Sequence, residues 1–125
     1  MGECISVGGF SKVYILRSKK NGNFFIGKFI DKSLSDDKKF YDLVMNEKSI
    51  NEIIDYQFLV KMHNFIETTG FFVLVLDYCP SGELFTLMKN HRNMTESEAK
   101  FYFIETLLAI RYMHSKGIIY RDIKP

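Results

Sequence analysis

The first half of the chain has the apolar pattern of short β-strands joined by tight turns. A strand around Ile5 and Ser6 comes first. Four further stretches are rich in β-branched and aromatic residues, and they cover 13–17, 23–30, 58–66 and 71–78. Asn21 and Gly22 separate the second and third strands, and they predict a hairpin because both residues tolerate positive φ angles. The pattern therefore predicts five strands.

A helix is predicted between the third and fourth strands, where apolar residues recur at helical spacing. Its apolar face would consist of Phe40, Leu43, Val44, Ile50 and Ile54. Ser33 or Ser35 can cap its start, and Asp36 and Asp37 favour the positive end of the helix dipole. The predicted order is three strands, one helix and two strands.

The second half of the chain is predicted to be helical. A short helix covers 84–91, and a longer one begins at Thr95, where Glu98 completes a capping box. Gly117 is a suitable C-terminal stop for the longer helix. Its apolar side would contain Ala99, Tyr102, Phe103, Ile110 and Met113. Together these elements predict an α+β fold that changes from a strand-rich part to a helical part at 77–83.

The composition fits one globular domain. The 125 residues are 46% hydrophobic, and 17 basic against 15 acidic side chains give a formal net charge of +2. So small an excess, without a basic stripe, predicts no nucleic-acid or membrane partner, and the apolar run at 70–76 has only the length of a strand. Cys4 and Cys79 are far apart and lack metal-ligand spacing, which favours a reduced, cytoplasmic location.

Two charged residues interrupt these apolar patterns. Glu47 lies between Val44 and Ile50 on the predicted apolar face of the helix, and Lys28 interrupts the strand at 23–30. An unpaired buried carboxylate costs several kcal/mol, so Glu47 needs a partner or a place at the rim. Each charge alone is explained by a side chain that reaches solvent at the edge of the sheet. Together they favour an ion pair.

Adjacent glycines occur in the turn between the first two strands. Gly8 and Gly9 allow main-chain N–H groups to approach an anion such as a phosphate. A dinucleotide-binding turn would lead into a helix, whereas this turn leads into the strand at 13–17. Two interpretations stay open at this point: a glycine-rich hairpin that covers phosphates, and a plain turn.

The order of these features resembles that of a protein kinase. A glycine-rich hairpin, a strand lysine, a helix glutamate, an apolar strand pair and an Arg-Asp-x-Lys loop follow one another along the whole chain. Three segments are similar to the corresponding segments of serine/threonine kinases of the AGC group, which includes the cyclic-nucleotide-dependent kinases. They are "MNEKSI" around Glu47, "VLDYCPSGELF" at 75–85 and "YRDIKP" at 120–125. The resemblance implies a small lobe at 1–78, with a five-stranded antiparallel sheet and one helix, and the hinge and first helices of the large lobe at 79–125.

The resemblance also implies an ATP site. The residues that would contact or position ATP are Ile5, Ser6, Val7, Gly8, Gly9, Phe10, Ser11, Val13, Ile26, Lys28, Glu47, Leu76, Asp77, Cys79 and Glu83. Among them, Lys28 would hold the α- and β-phosphates, and Glu47 would orient Lys28. Val13 and Ile26 would pack on the adenine, and 76–79 would form the gatekeeper and hinge.

Catalysis is implied for the loop near the end of the sequence. Asp122 would accept the proton of a substrate hydroxyl, and Lys124 would steady the transferring phosphate. A lysine two residues after the aspartate is the serine/threonine pattern, and Glu83 suggests basic protein substrates. Magnesium is expected for the complete domain, but the Asn and the Asp-Phe-Gly segment that hold it in the family are absent from this sequence. We therefore expect an inactive fragment that lacks the rest of the large lobe or regulatory domains.

Three positions depart from the family pattern. Ser6 replaces a glycine, and left-handed geometry there would cost a serine about 1–2 kcal/mol. Ile26 stands where alanine usually faces adenine, and Asn51 stands where a buried apolar residue is usual. These departures keep a second interpretation open, a pseudokinase or nucleotide-binding scaffold without transfer activity.

Overall fold

A computed structural model describes residues 2–34, 37–90 and 94–124. The chain forms two compact units. The first comprises the chain up to Asp55 together with Val60–Tyr78, and the second comprises Tyr56–Leu59 and the chain from Cys79 onwards. The domain limits expected from the sequence, with a boundary after residue 78, stay a prediction.

The first unit is built on a five-stranded antiparallel sheet. Its strands are β1 (Cys4–Val7), β2 (Ser11–Arg17), β3 (Phe24–Asp31), β4 (Met62–Glu67) and β5 (Phe71–Asp77), in the spatial order β1-β2-β3-β5-β4. The hairpin between β2 and β3 turns at Gly22, whose φ of 76° is accessible to glycine without strain. The predicted α+β class and the five-stranded antiparallel sheet are therefore confirmed.

Helix α1 (Lys38–Ile53) follows β3. Its N-cap is Asp37, whose carboxylate accepts a hydrogen bond from the main-chain N–H two residues further on. The predicted cap at Ser33 is wrong, because the hydroxyl and the main-chain N–H of Ser33 both donate to the carboxylate of Asp31 in the turn before the helix. The alternative cap Ser35 and the predicted first-turn residue Asp36 lie outside the described residues.

The core of the first unit lies between α1 and the middle of the sheet. Its buried residues are Ile30, Val44, Phe72 and Leu74, and half-buried residues around them are Phe40, Met45, Met62, Phe65 and Leu76. Two predicted members of the helix face do not belong to it, since Leu43 is 68% exposed and Ile54 lies beyond the end of the helix. One residue corresponds to about 100° of rotation in a helix, so Leu43 points away from the sheet when Val44 points towards it.

Strand β4 begins at Met62, later than the predicted strand over 58–66. The apolar residues before it form a turn, in which the N–H of Leu59 donates to the carbonyl of Tyr56 at 2.9 Å. The ring of Tyr56 stacks on that of Tyr112, with centroids 4.6 Å apart and planes 5° from parallel. The apolar character of this segment therefore serves packing in the second unit and not strand pairing.

The second unit contains helices α2 (Leu84–Asn90) and α3 (Glu96–Ser115). Thr95 caps α3 in the predicted capping box, and Gly117 follows its end with a φ of 72°. The predicted last residue of α2, His91, lies outside the described residues. Within the described part of the chain, no helix combines the length and the apolar character needed to span a bilayer.

One side of α3 exposes large apolar residues. Met113 is buried, whereas Phe103, Ile104 and Leu107 are more than half exposed on a common side of the helix. The predicted apolar side of α3 is therefore only partly covered, since Met113 is buried whereas Phe103 is 65% exposed. An apolar surface of this kind favours association.

We expect the chain to self-associate through this surface of α3. Replacing Phe103 or Leu107 by Glu should shift the chain towards monomer, because a charge would have to be buried in the contact. Sedimentation over a range of protein concentrations measures the change, and Thr106→Glu on the same helix controls for the added charge. A wild-type chain that is monomeric at all concentrations would contradict the expectation.

Candidate functional site

Strand register places four of the predicted ATP-contacting side chains on one face of the sheet. Val13 of β2 pairs with Lys28 of β3, and Ile26 of β3 pairs with Leu76 of β5. Paired residues of an antiparallel ladder point to the same side, as do residues two apart on one strand. The same face carries Leu74, which pairs with Lys28 and is buried in the core. Three half-buried apolar side chains and one cation therefore share a surface beside α1.

An ion pair joins this face to helix α1. The Nζ atom of Lys28 donates to Oε1 of Glu47 at 2.6 Å. The two side chains are 29% and 38% exposed, so both are partly shielded from water. An ammonium group has three N–H donors, so the cation can be held by Glu47 and still face a further anion. The ion pair inferred from the two interrupted patterns is present in the structure.

Asn51 supports the main chain of α1 beside Glu47. Its Nδ2 atom donates to the carbonyl oxygen of Glu47 at 2.8 Å. A half-buried amide without such a bond would lose the free energy of its hydration. The polar residue at this position is therefore accommodated within the helix, by a local bond that runs back one turn.

The glycine-rich hairpin is closed by its own main chain. The N–H of Gly8 donates to the carbonyl of Ser11 at 2.8 Å. Ser6 lies in β1 without a positive φ, so the left-handed strain expected there is not found. A Cβ atom would have no neighbour within 4 Å at Gly9 and ordinary contacts at 3.6 Å at Gly8. Packing within the unit therefore does not require either glycine.

Strand β1 and the tip of the hairpin present apolar side chains to solvent. Ile5, Val7 and Phe10 are each half exposed or more. Strand β1 is the edge of the sheet, and Ser6 pairs there with Val13. The strand that would cover a nucleotide is therefore an exposed edge beside the apolar face.

The carboxylate of Asp77 binds β4, a contact that the sequence analysis missed. Its Oδ1 atom lies 2.6 Å from Nε2 of His63, and its Oδ2 accepts the main-chain N–H of Lys61 at 2.9 Å. Burial acts to raise the pKa of Asp77, but the hydrogen bonds from His63 and Lys61 and their positive charges outweigh it and lower the pKa below its ordinary value. The main-chain N–H of Asp77 also donates to the carbonyl of Lys61, at 3.0 Å, so both its side chain and its main chain bind the neighbouring segment.

The other predicted site residues belong to the second unit and are exposed. Cys79 is a free thiol, and Glu83 directly precedes α2. The Nζ atom of Lys124 donates to Oδ2 of Asp122 at 3.0 Å, and this bond raises the pKa of Lys124. Arg121 has a φ of 63°, the one positive φ of a non-glycine residue in the described ranges. The roles of these residues stay predictions.

Comparisons with known proteins identify the family. The protein kinase domain family matches residues 1–125. The chain is 36% identical to protein kinase 3 of Dictyostelium discoideum, 34% to cAMP-dependent protein kinase type 3 of Saccharomyces cerevisiae and 37% to protein kinase C zeta type of Oryctolagus cuniculus. These alignments cover 96–97% of this chain but only 13%, 30% and 20% of the three relatives, respectively. The chain belongs to the protein kinase domain family and spans less than a third of each relative.

A solved structure agrees with this assignment. The structure of Rad53 in complex with AMP-PNP matches with a TM-score of 0.86 and 26% identity, over 100% of this chain and 32% of that one. The likeness confirms that the antiparallel sheet and its helix have the fold of a protein kinase small lobe.

Replacing Asp77 by Asn should destabilise the chain near neutral pH and do so less in acid. Because the folded-state pKa of Asp77 lies below its ordinary value, its stabilisation is complete above the unfolded pKa of about 4 and is lost as the pH falls through the lower, folded value. For a half-exposed group we expect about 0.2–1 kcal/mol at pH 6. Urea unfolding of both proteins at pH 6 and pH 3 measures the difference.

Asp42→Asn, on the exposed side of α1, controls for the loss of one negative charge. If Asp77→Asn and Asp42→Asn destabilise the chain equally at pH 6, the contacts of Asp77 with β4 do not matter for stability.

Proposed function

We propose that this chain supplies the nucleotide-binding part and the start of the catalytic loop of a serine/threonine protein kinase. The observation that supports the proposal most directly is the 2.6 Å contact between Lys28 and Glu47 on the apolar face of the sheet. A cation held in a half-buried position by a carboxylate is suited to neutralise phosphate charge, because its attraction is less screened there than at the surface.

ATP fits the residues of this face. Val13, Ile26 and Leu76 offer apolar surface to a purine, and Lys28 lies two residues from Ile26 on the same side of β3. The open space above Gly9 leaves room for a ligand to approach the main chain of the hairpin. When bound, ATP would supply the phosphoryl group. The chain would bind the base, orient the phosphates and shield them with the hairpin.

We propose no magnesium-binding residues in this chain. Among the residues that the structure describes, no three His, Cys, Asp or Glu side chains are arranged to hold a metal ion. In the protein kinase family an Asn and an Asp-Phe-Gly segment hold magnesium, and neither is in this sequence. Because this Asn and this segment are missing, the 125 residues alone are proposed to be inactive in phosphoryl transfer.

Asp122 and Lys124 are proposed to act on the substrate side. Asp122 would accept the proton of a serine or threonine hydroxyl, and the cation of Lys124, which Asp122 binds, would steady the transferring phosphate. The pattern Asp-x-Lys supports serine/threonine specificity. Likeness to a cAMP-dependent kinase and to protein kinase C zeta type supports the AGC group, and Glu83 is proposed to favour basic protein substrates.

Replacing Lys28 by Ala should abolish stabilisation by ATP. At a hundredfold excess of ligand over its Kd, binding to the folded state adds about 2.7 kcal/mol to the free energy of unfolding. We therefore expect ATP with magnesium to raise the melting temperature of the wild-type chain by several degrees and that of the variant not at all. Differential scanning fluorimetry measures both.

Lys32→Ala is the matched control. Lys32 pairs with Glu67 at 2.7 Å, and the two side chains are 26% and 50% exposed, so the pair resembles that of Lys28 in geometry and lysine burial. Lys32→Ala should keep the rise caused by ATP. If ATP raises the melting temperature of both variants, or of neither, the proposed role of Lys28 is contradicted.

Replacing Ile26 by Ala should strengthen ATP binding. Overpacking by a larger side chain costs about 1–3 kcal/mol, which corresponds to about five- to 150-fold in affinity if it acts wholly on adenine. Isothermal titration with ATP measures the change. Tripolyphosphate, which has no base, should bind both proteins equally, and an ATP affinity that stays equal or falls would contradict overpacking.

A further inference from the structure

The tip of the glycine-rich hairpin contacts the start of helix α1. The rings of Phe10 and Phe40 have centroids 6.0 Å apart and planes inclined at 50°. The carbonyl of Phe10 also accepts the main-chain N–H of Asp31, at the end of β3, at 3.4 Å. Phe10 is 60% exposed, so one side of its ring lies against Phe40 while the other faces solvent.

Phe40 connects this contact to the core. It lies in the first turn of α1 and packs against the buried cluster that contains Val44 and Phe72. Glu47 follows Phe40 by seven residues, which is two helical turns, so both side chains lie on the same side of α1. The ring of Phe40 therefore packs on the same side of the helix that carries Glu47, the partner of Lys28.

Helix α1 has few other apolar anchors. Val44 is its buried residue, and the remaining apolar side chains on its inner side are half-buried. A helix held by so little buried surface opens locally more readily than a core element. The position of its N-terminal turn is therefore sensitive to one additional ring contact.

The glycines of the hairpin do not hold its tip against the rest of the unit. A Cβ atom at Gly9 would meet no atom within 4 Å, and the bond from Gly8 to Ser11 lies within the hairpin itself. That bond fixes the shape of the turn but not its position over the sheet. Beyond the pairing of β2 with β3, which begins at Ser11, Phe10 ties the tip to the rest of the unit through its ring and its carbonyl.

We propose that Phe10 is a positioning residue: its ring holds the hairpin down on Phe40 and steadies α1, so that hairpin closure and the Lys28–Glu47 ion pair favour each other. Its effect on nucleotide binding rests on the proposed function, whereas its effect on the helix does not. By linkage, a ligand that closes the hairpin also stabilises α1, and a stable α1 strengthens binding of that ligand by the same factor.

Amide hydrogen exchange in the nucleotide-free chain tests the helix part directly. Phe10→Ala should speed exchange across 38–47 by about two- to tenfold, the range expected for one aromatic contact. Phe40→Leu, which keeps an apolar side chain against the core, should have a similar effect, and the double variant should add little to either. Phe10→Tyr should restore slow exchange, because it restores the ring.

Phe24→Ala is the matched control for the loss of an exposed ring. Phe24 is 52% exposed, and its ring lies 6.0 Å from that of Tyr78 at an inclination of 51°, far along the chain from α1. This variant should leave exchange across 38–47 unchanged. Unchanged exchange in Phe10→Ala, an effect equal to that of Phe24→Ala, or additive effects of Phe10→Ala and Phe40→Leu would each overturn the proposal.

Titration with ATP tests the coupling separately. Phe10→Ala should weaken ATP binding by about the factor by which it speeds exchange, and it should cause no further loss in a chain that carries Phe40→Leu. If ATP fails to bind the wild-type chain, the proposed function fails, while the exchange experiment still decides the role of Phe10. If ATP binds and Phe10→Ala leaves its affinity unchanged, the coupling is refuted.

Discussion

The ion pair between Lys28 and Glu47 is the constraint on which the first unit depends. Lys28 projects from the middle strand of the sheet and Glu47 from the inner side of α1, and each would lose hydration without gaining a partner if the other were displaced. Together with the packing of Val44 and Phe40 on the core, the pair therefore fixes where α1 lies along the sheet. Val13, Ile26 and Leu76 share the face with Lys28, so the same pair also holds α1 beside this apolar surface.

Two local signals in the sequence predicted local structure correctly. The turn at Gly22 and the capping box at Thr95 depend on residues within a few positions of each other, so their chemistry is complete before any tertiary contact forms. The start of β4 was misplaced because the apolar segment before it packs through Tyr56 on Tyr112, and apolar pattern does not distinguish such packing from strand pairing.

The candidate site also contains one contact that the sequence could predict and one that it could not. Lys28 and Glu47 could be paired from sequence because each charge interrupts an apolar pattern that the fold must bury. The contact of Asp77 with His63 could not, because it depends on the register of β4 against β5, which shifts irregularly between Met62 and Asn64. A bulge of this kind leaves no mark in the alternation of apolar and polar residues that would predict it.

Backbone strain lies in a different part of the chain from the one the sequence suggested. Ser6 was expected to be strained in the glycine-rich hairpin, yet it lies in regular strand geometry. Arg121, by contrast, has a φ of 63°, a conformation that costs a residue with a Cβ about 1–2 kcal/mol. Such strain persists only where the surrounding chain imposes it, and here it immediately precedes Asp122. The glycine-rich hairpin thus carries no left-handed strain at Ser6, whereas the loop with the proposed proton acceptor carries it at Arg121.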